Sequence, residues 1–207
     1  MAKVGRPRQH GQARDTAEVL KKSALDLMSQ SNGAVTVKEI ARDAGVTTAM
    51  IYYHFRDKDE LLHATIEYAV ETALSHFEQV SAEIDHPADV IHEWLRMHVA
   101  LHPEIGKVLK LILDHRHSDA QAGSLDPLID RFYSKERAVI LDSIARGRDS
   151  GVFAQGPDGT VICLMISTFL DGAVMRKRVF ADYDIGASVA AFEQMLWRTL
   201  GYMGRAK

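Results

Sequence analysis

The sequence predicts an all-α fold of about nine helices, with a small N-terminal helix-turn-helix unit of three helices before a larger helical domain. Three observations predict it. Apolar residues recur at helical spacing through most of the chain, and no segment alternates convincingly with period two. Side-chain caps and first-turn prolines mark helix starts at regular intervals. The 207 residues are 46 % hydrophobic and 26 % charged, enough apolar content to build a sizeable core.

The elements follow in order. Residues 1–14 are polar, basic and punctuated by Gly and Pro, and read as a flexible arm. Helix 1 is expected from about Asp15, where Asp15 and Glu18 have capping-box spacing. Ala17, Leu20, Ala24, Leu27 and Met28 form its apolar face, and Asn32-Gly33 supplies its stop. Thr36 with Glu39 opens a short second helix carrying Ile40, Ala41 and Ala44. Gly45 provides a turn, and a third helix runs from Thr47 or Thr48 to about Phe55. Asp57 with Glu60 opens a fourth, whose Leu62, Ile66, Ala69, Ala73, Phe77 and Val80 lie on one face. Pro87 and Pro103 sit where first-turn prolines are favoured. Leu125 to Arg148 is a long helix, Gly151 to Gly159 a loop, and Thr160–Phe180 and Ile185–Met203 the last two helices. There is no internal repeat.

Charge is uneven along the chain. Residues 1–60 hold ten Lys and Arg against eight Asp and Glu, while the remainder holds fifteen against twenty, which together give the net −3. The basic excess lies in the first 14 residues, at Lys3, Arg6, Arg8 and Arg14. A cationic arm on an acidic body suits a small nucleic-acid module attached to a different domain. The single cysteine, Cys163, excludes an intrachain disulfide and reads as a buried core residue. No run of about 18 apolar residues is seen, so no membrane span is expected. The first twenty residues lack the apolar stretch of a secretory signal, and a cytoplasmic location is expected.

The informative stretch is Thr36–Leu62, TVKEIARDAGVTTAMIYYHFRDKDELL. Ala41 is small where a second helix would cross the first. Gly45 suits a positive φ, and Val46 and Ile51 anchor the following helix. The other face of that helix offers Thr47, Thr48, Ala49, Met50, Tyr52 and His54, types suited to thymine methyls, base edges and phosphates. By pattern alone the stretch is either a tight helical corner or a DNA-binding helix-turn-helix.

The same residues resemble the DNA-binding domain of the TetR family of bacterial regulators. The resemblance is carried by Ala44-Gly45-Val46, by Ile51-Tyr52-Tyr53-His54-Phe55, and by Lys58 followed by Leu61-Leu62. It covers residues 10–65 well. Met50 and Arg56 depart from it, at positions where Thr or Ser and Pro are frequent. The resemblance implies a transcriptional regulator, most simply a repressor, that binds an inverted-repeat operator in double-stranded DNA and is released by a small-molecule inducer. It implies phosphate contacts from Thr36, Tyr52, His54 and Lys58, and base contacts from Lys38, Thr48, Ala49 and Met50. A lysine in the first turn opposes the helix dipole, which makes sense if an anion also sits at that helix end; the other reading is a lysine paired with Asp59 or Glu60. Arg6 and Arg8, flanking Pro7, suit a narrow minor groove or an ordinary solubilising tail.

For residues 61–207 the resemblance implies a ligand-binding and dimerisation domain, with residues 15–60 as the DNA-binding domain. The last two helices would pair with their copies in a homodimer. Val161, Leu164, Met165, Thr168, Phe169, Ile185, Val189, Phe192, Leu196 and Trp197 exceed the apolar needs of one small core, and Gly172 suggests a close helix crossing. The resemblance also implies an inducer pocket among helices 4 to 8, for which Trp94, Met97, His98, Leu101, Leu111, His115, Phe132, Met165 and Phe169 are the candidate lining, the other reading of these residues being plain core. Asp171, inside an apolar helix, suits either a polar ligand group or an interface ion pair. His98 and His102 have the spacing of a metal pair, but solvated or capping histidines are the expectation, with no metal and no cofactor. No nucleophile–base motif or phosphate loop is found, so no enzyme is expected. A helical enzyme and an inducer-independent architectural DNA binder are the competing classes.

Overall fold

A computed structural model describes residues 9–31, 35–116 and 126–204. Among these there are nine helices and no strand: α1 (Gln9–Gln30), α2 (Val37–Asp43), α3 (Thr48–His54), α4 (Lys58–Ser81), α5 (Pro87–Ala100), α6 (His102–Arg116), α7 (Asp126–Asp149), α8 (Gly159–Val179) and α9 (Ile185–Leu200). The all-α class and the helix order agree with the sequence reading.

Two cores hold the chain. The smaller joins α1, α2 and α3 through Leu20, Ala24, Ile40, Ala41, Ile51 and Phe55. Ser23 of α1 ties α2 down, donating to the Asp43 carboxylate at 2.6 Å. The larger core runs through α4 to α9 and includes Ile66, Trp94, Ile140, Ile162 and Ile166. Helix α4 belongs to both: Leu61 packs in the first core and Leu62 in the second. In the larger core α5 packs on α7 and α9, while α8 touches α6, α7 and α9.

Local chemistry explains most boundaries. Thr36 closes a full capping box with Glu39: its Oγ1 accepts from the Glu39 N–H at 3.2 Å, and its own N–H donates to Glu39 Oε2 at 2.8 Å. The Asp57 cap differs in one half. Asp57 Oδ1 accepts from the Glu60 N–H at 2.8 Å, but Glu60 reaches back to the Arg56 N–H instead. Pro87 is at the start of α5 and Pro103 in the first turn of α6, as expected. Gly45 adopts φ +68, and the Val46 N–H donates to the Ala41 carbonyl at 2.9 Å across the turn.

Several expectations need correction. Helix α1 starts at Gln9, so residues 9–14 are helical rather than part of an extended arm, and Asp15 lies inside the helix. Gln, Ala and Arg are good helix formers, and propagation from an existing helix tolerates one Gly. Helix α9 stops at Leu200, not Met203, because Gly201 takes a left-handed φ of +66. There the Ala154 N–H donates to the Leu200 carbonyl at 2.8 Å, which straps the preceding loop onto the helix end. Gly172 makes no close crossing among the described residues; a Cβ there would meet nothing within 4 Å. Among the described residues one helix, Gly159–Val179, is long and apolar enough to cross a membrane by length and composition alone. Asp171 interrupts its apolar run, and the helix ends in Arg176-Lys177-Arg178 while packing against α5, α6, α7 and α9. Asn32, Gly33, Arg6, Arg8 and His117 lie outside the described residues.

Candidate nucleic-acid interface and inner cavity

Helix α3 is held by a single buried residue, Ile51, at 0 % exposure. Its other face is open. Thr47, Thr48, Ala49, Met50, Tyr52 and Tyr53 are all exposed, the last at 75 %. Three large apolar or aromatic side chains exposed on a two-turn helix make a surface shaped for a partner. Thr47 is also the cap of α3, its Oγ1 accepting from the Met50 N–H at 3.3 Å.

The flanking positions lie on α2 and at the start of α4. Lys38 and Thr36 are exposed at the start of α2. The Thr36 hydroxyl donates to Glu39 Oε2 at 2.7 Å. The bonds from Thr36, backbone first and hydroxyl second, hold the Glu39 carboxyl below its usual range. Lys58 is the first residue of α4, and its charge adds to that lowering. Glu60, an expected partner of Lys58, turns instead to the Arg56 N–H at 2.6 Å. His54 packs edge-on to Tyr53, and its buried Nε2 has no hydrogen-bond partner among the described residues. Tyr53 and the exposed Arg42 were not singled out in the sequence. Both lie within the motif, and both turn outward as Ile51 and Ala41 pack inward.

The second site lies inside the larger domain. A cavity runs between α4, which supplies Ile66, Ala69, Val70 and Ala73, and α6, which supplies Glu104, Ile105, Val108, Leu109 and Ile112. Helix α7 adds Leu128, Ile129, Phe132 and Tyr133; His98, Leu101 and Asp171 complete the wall. The space between atoms is about 690 Å³, part of it open to solvent.

Four polar or charged side chains line the cavity: His98, Glu104, Tyr133 and Asp171. Tyr133 donates to Asp171 Oδ2 at 2.6 Å. Burial raises both groups above their usual pKa values, and the Tyr133 bond works against that rise at Asp171. His98 is buried, and its Nδ1 lies 2.9 Å from the Trp94 carbonyl, so Nδ1 carries the proton and Nε2 is an acceptor. Burial pushes its pKa down to about 4. Behind this wall lies Glu136, 2 % exposed, with its pKa pushed up to about 7 by burial. It accepts from Trp94 Nε1 at 3.2 Å and Ser167 Oγ at 2.8 Å.

Of the residues expected to line a ligand pocket, His98, Leu101 and Phe132 do face this cavity. Trp94, Met97 and Leu111 are buried in the core behind it, Trp94 meeting Phe77 edge-on at 4.6 Å. Met165 and Phe169 face away, towards the open side of α8; Phe169 stacks on Phe192 of α9 at 4.1 Å. Helix periodicity alone does not say which flank of an apolar stripe meets a void. The His115 side chain lies outside the described part. His98 and His102 bond separately to the Trp94 and Val99 carbonyls. No group of three or more metal-binding side chains occurs among the described residues.

Comparison with known proteins bears on the helix-turn-helix segment and on the fold. Residues 22–65 match the profile of bacterial regulatory proteins, tetR family. The chain is 22 % identical over 165 residues to the nucleoid occlusion factor SlmA of Idiomarina loihiensis, covering 77 % of this chain and 81 % of that protein. Its fold matches the transcriptional regulator FadR of Bacillus subtilis, solved with stearoyl-CoA (TM-score 0.72, 20 % identity, 86 % and 96 % of the two chains). It also matches a regulator from Saccharomonospora viridis solved with choline (TM-score 0.73, 19 % identity, 92 % and 97 %). The helix-turn-helix domain of this chain is thus that of the TetR family of bacterial regulatory proteins, carried on the fold of solved transcriptional regulators.

Proposed function

We propose that this protein is a cytoplasmic repressor that binds an inverted-repeat operator as a homodimer and releases it when a small molecule enters the inner cavity. The observation that carries this reading is α4. One unbroken helix starts beside the DNA-binding unit at Lys58 and lines the cavity from Ile66 to Ala73. The separation is about 12 Å along the axis at 1.5 Å per residue, so a shift of α4 on ligand entry moves the helix-turn-helix directly.

In this reading Thr48, Ala49, Met50 and Lys38 meet base edges, and Thr36, Thr47, Tyr52, His54 and Lys58 meet the backbone, with Arg6 and Arg8 in the minor groove. Residues 15–60 act as the DNA-binding domain and residues 61–207 as the ligand and dimer domain. We assign the chain no catalytic activity and no membrane association. Regulators sharing this fold have been solved with ligands as different as stearoyl-CoA and choline, so similarity does not choose the effector.

The test is selection of DNA from a random-sequence pool by the full-length protein. The expected result is an enriched inverted repeat, its half-sites about 34–36 Å apart or a multiple of that. Enrichment of no sequence at all would favour an architectural binder and remove the repressor reading.

A further inference from the structure

Asp171 is the only acid in α8, and it is set in the wall of an apolar cavity. Its hydrogen-bond partner is Tyr133, and among the described residues no cation is paired with it. A half-buried carboxylate without a counter-charge is costly to keep, because it gives up part of its hydration and gains no opposite charge in return. The Tyr133 hydroxyl donates to it and so favours its ionised form. Groups like this persist where something else supplies the missing charge.

The rest of the wall has the same polarity. His98 is neutral and offers Nε2 as an acceptor, and Tyr133 has spent its proton on Asp171. Glu104, exposed on α6, adds a second acid. No Lys or Arg is among the described lining residues. The polar groups of the wall therefore accept hydrogen bonds and attract positive charge, while the remaining lining residues are apolar.

We propose that the cavity takes a lipophilic organic cation, its amine or ammonium nitrogen against Asp171 and Tyr133 and its apolar body along α4 and α6. This rests on the reading of the cavity as a ligand site. It distinguishes this chain from a binder of fatty acids or their thioesters, whose anionic head would face an unpaired carboxylate.

The test uses three probes with one chain and three head groups: octylammonium, 1-octanol and octanoate. Binding to the full-length protein is measured by calorimetry. Octylammonium should bind about tenfold or more tighter than octanol, as a charge-assisted bond requires, and octanoate weaker than octanol. Asp171→Asn keeps an acceptor for Tyr133 and should erase the octylammonium advantage while leaving octanol within about twofold. Octanoate equal to or tighter than octanol on the unaltered protein overturns the proposal, as does an octylammonium preference that survives Asp171→Asn. The first comparison needs no variant, so it holds even if Asp171→Asn folds poorly. Ile105→Trp, which fills the cavity from α6, separates the two levels. If octanoate binds best and Ile105→Trp abolishes it, the cavity is a ligand site of another class. If no probe binds, or Ile105→Trp leaves all binding unchanged, the cavity reading falls with the proposal.

Discussion

At the scale of single residues, positioning and reading of DNA should separate. Lys58 carries charge without base information, whereas the exposed Thr48 hydroxyl stands at the start of α3. Lys58→Ala should weaken binding to operator and random DNA alike and reduce the salt slope by about 0.9 for each phosphate left without its cation. Thr48→Ala should leave the slope unchanged and cost about 1–3 kcal/mol per half-site at one symmetric pair of positions. Affinities for both DNAs at several salt concentrations check this; the reverse pattern would mean that α3 enters the groove in another orientation. A second prediction concerns Glu136 and His98, which oppose each other in pH. His98 falls from 6.5 to about 4 on folding, so its contribution is complete above pH 6.5 and is lost as pH falls towards 4. Glu136 rises from 4.5 to about 7, so its contribution is complete below pH 4.5 and is lost as pH rises through 7. Between pH 4.5 and 6.5 the two slopes cancel. Glu136→Gln should uncover the His98 slope, with stability increasing by on the order of 2–3 kcal/mol across that window. Denaturant unfolding at several pH values measures it, and a flat profile for the variant would contradict the pairing.

At the scale of elements, two links tie the ligand domain to α1. Lys107 of α6 pairs with Asp26 at 2.6 Å. Arg178 of α8 donates to the Ser29 carbonyl at 3.1 Å, passing Gly106 so closely that a Cβ there would lie 3.0 Å from its Cδ. Both anchor the end of α1 that leads into the helix-turn-helix. A half-buried ion pair contributes about 0–1 kcal/mol and a hydrogen bond from a charged group to a carbonyl about 1.5–3 kcal/mol, so their removal should leave the protein folded. Lys107→Ala combined with Arg178→Ala should instead reduce the coupling between cavity and DNA. The ratio of operator affinities without and with a saturating cavity ligand, expected in the range of about 5–150 for an allosteric regulator, should move towards one. A ratio equal to that of the unaltered protein would assign the coupling to α4 alone. The capping boxes were readable because cap chemistry is local; these links join residues 81 and 149 positions apart and have no local signature.

At the scale of the whole molecule, the last two helices divide their apolar residues between two duties. Ile185, Val189 and Leu196 are buried in the chain's own core, and Trp197 stacks on Phe153. Val161, Leu164 and Met165 of α8 and Met195 of α9 remain 49–66 % exposed, with Thr168 and Gly172 on the same stripe. A patch of this kind, continuous across two helices, is the surface proposed to pair with its copy. Leu164→Asp with Met195→Asp should give a folded monomer by sedimentation, because neither side chain supports the chain's own core. Operator affinity should fall at least about a hundredfold as the two half-sites lose their shared effective concentration. A dimer that survives both charges would place the interface elsewhere.

Helix number, order and starts, the turn at Gly45 and the outward face of α3 were determined by the sequence itself, because periodicity, capping and the left-handed turn act within a few residues. The start of α1 at Gln9 escaped that logic, since propagation from a formed helix overrides a local cap signal. What the tertiary structure decided is which side of each apolar stripe is filled and which is left open. Leu101 and Phe132 face a void while Trp94 and Leu111, of the same chemistry and spacing, do not. Phe169 faces outward and Asp171, two residues on, faces in. The hydrophobic effect has no direction of its own, so a stripe of apolar residues specifies burial but not against what. Only the packing of α4, α6, α7 and α8 against one another leaves a cavity and sets in its wall an acid that has no counter-charge among the described residues.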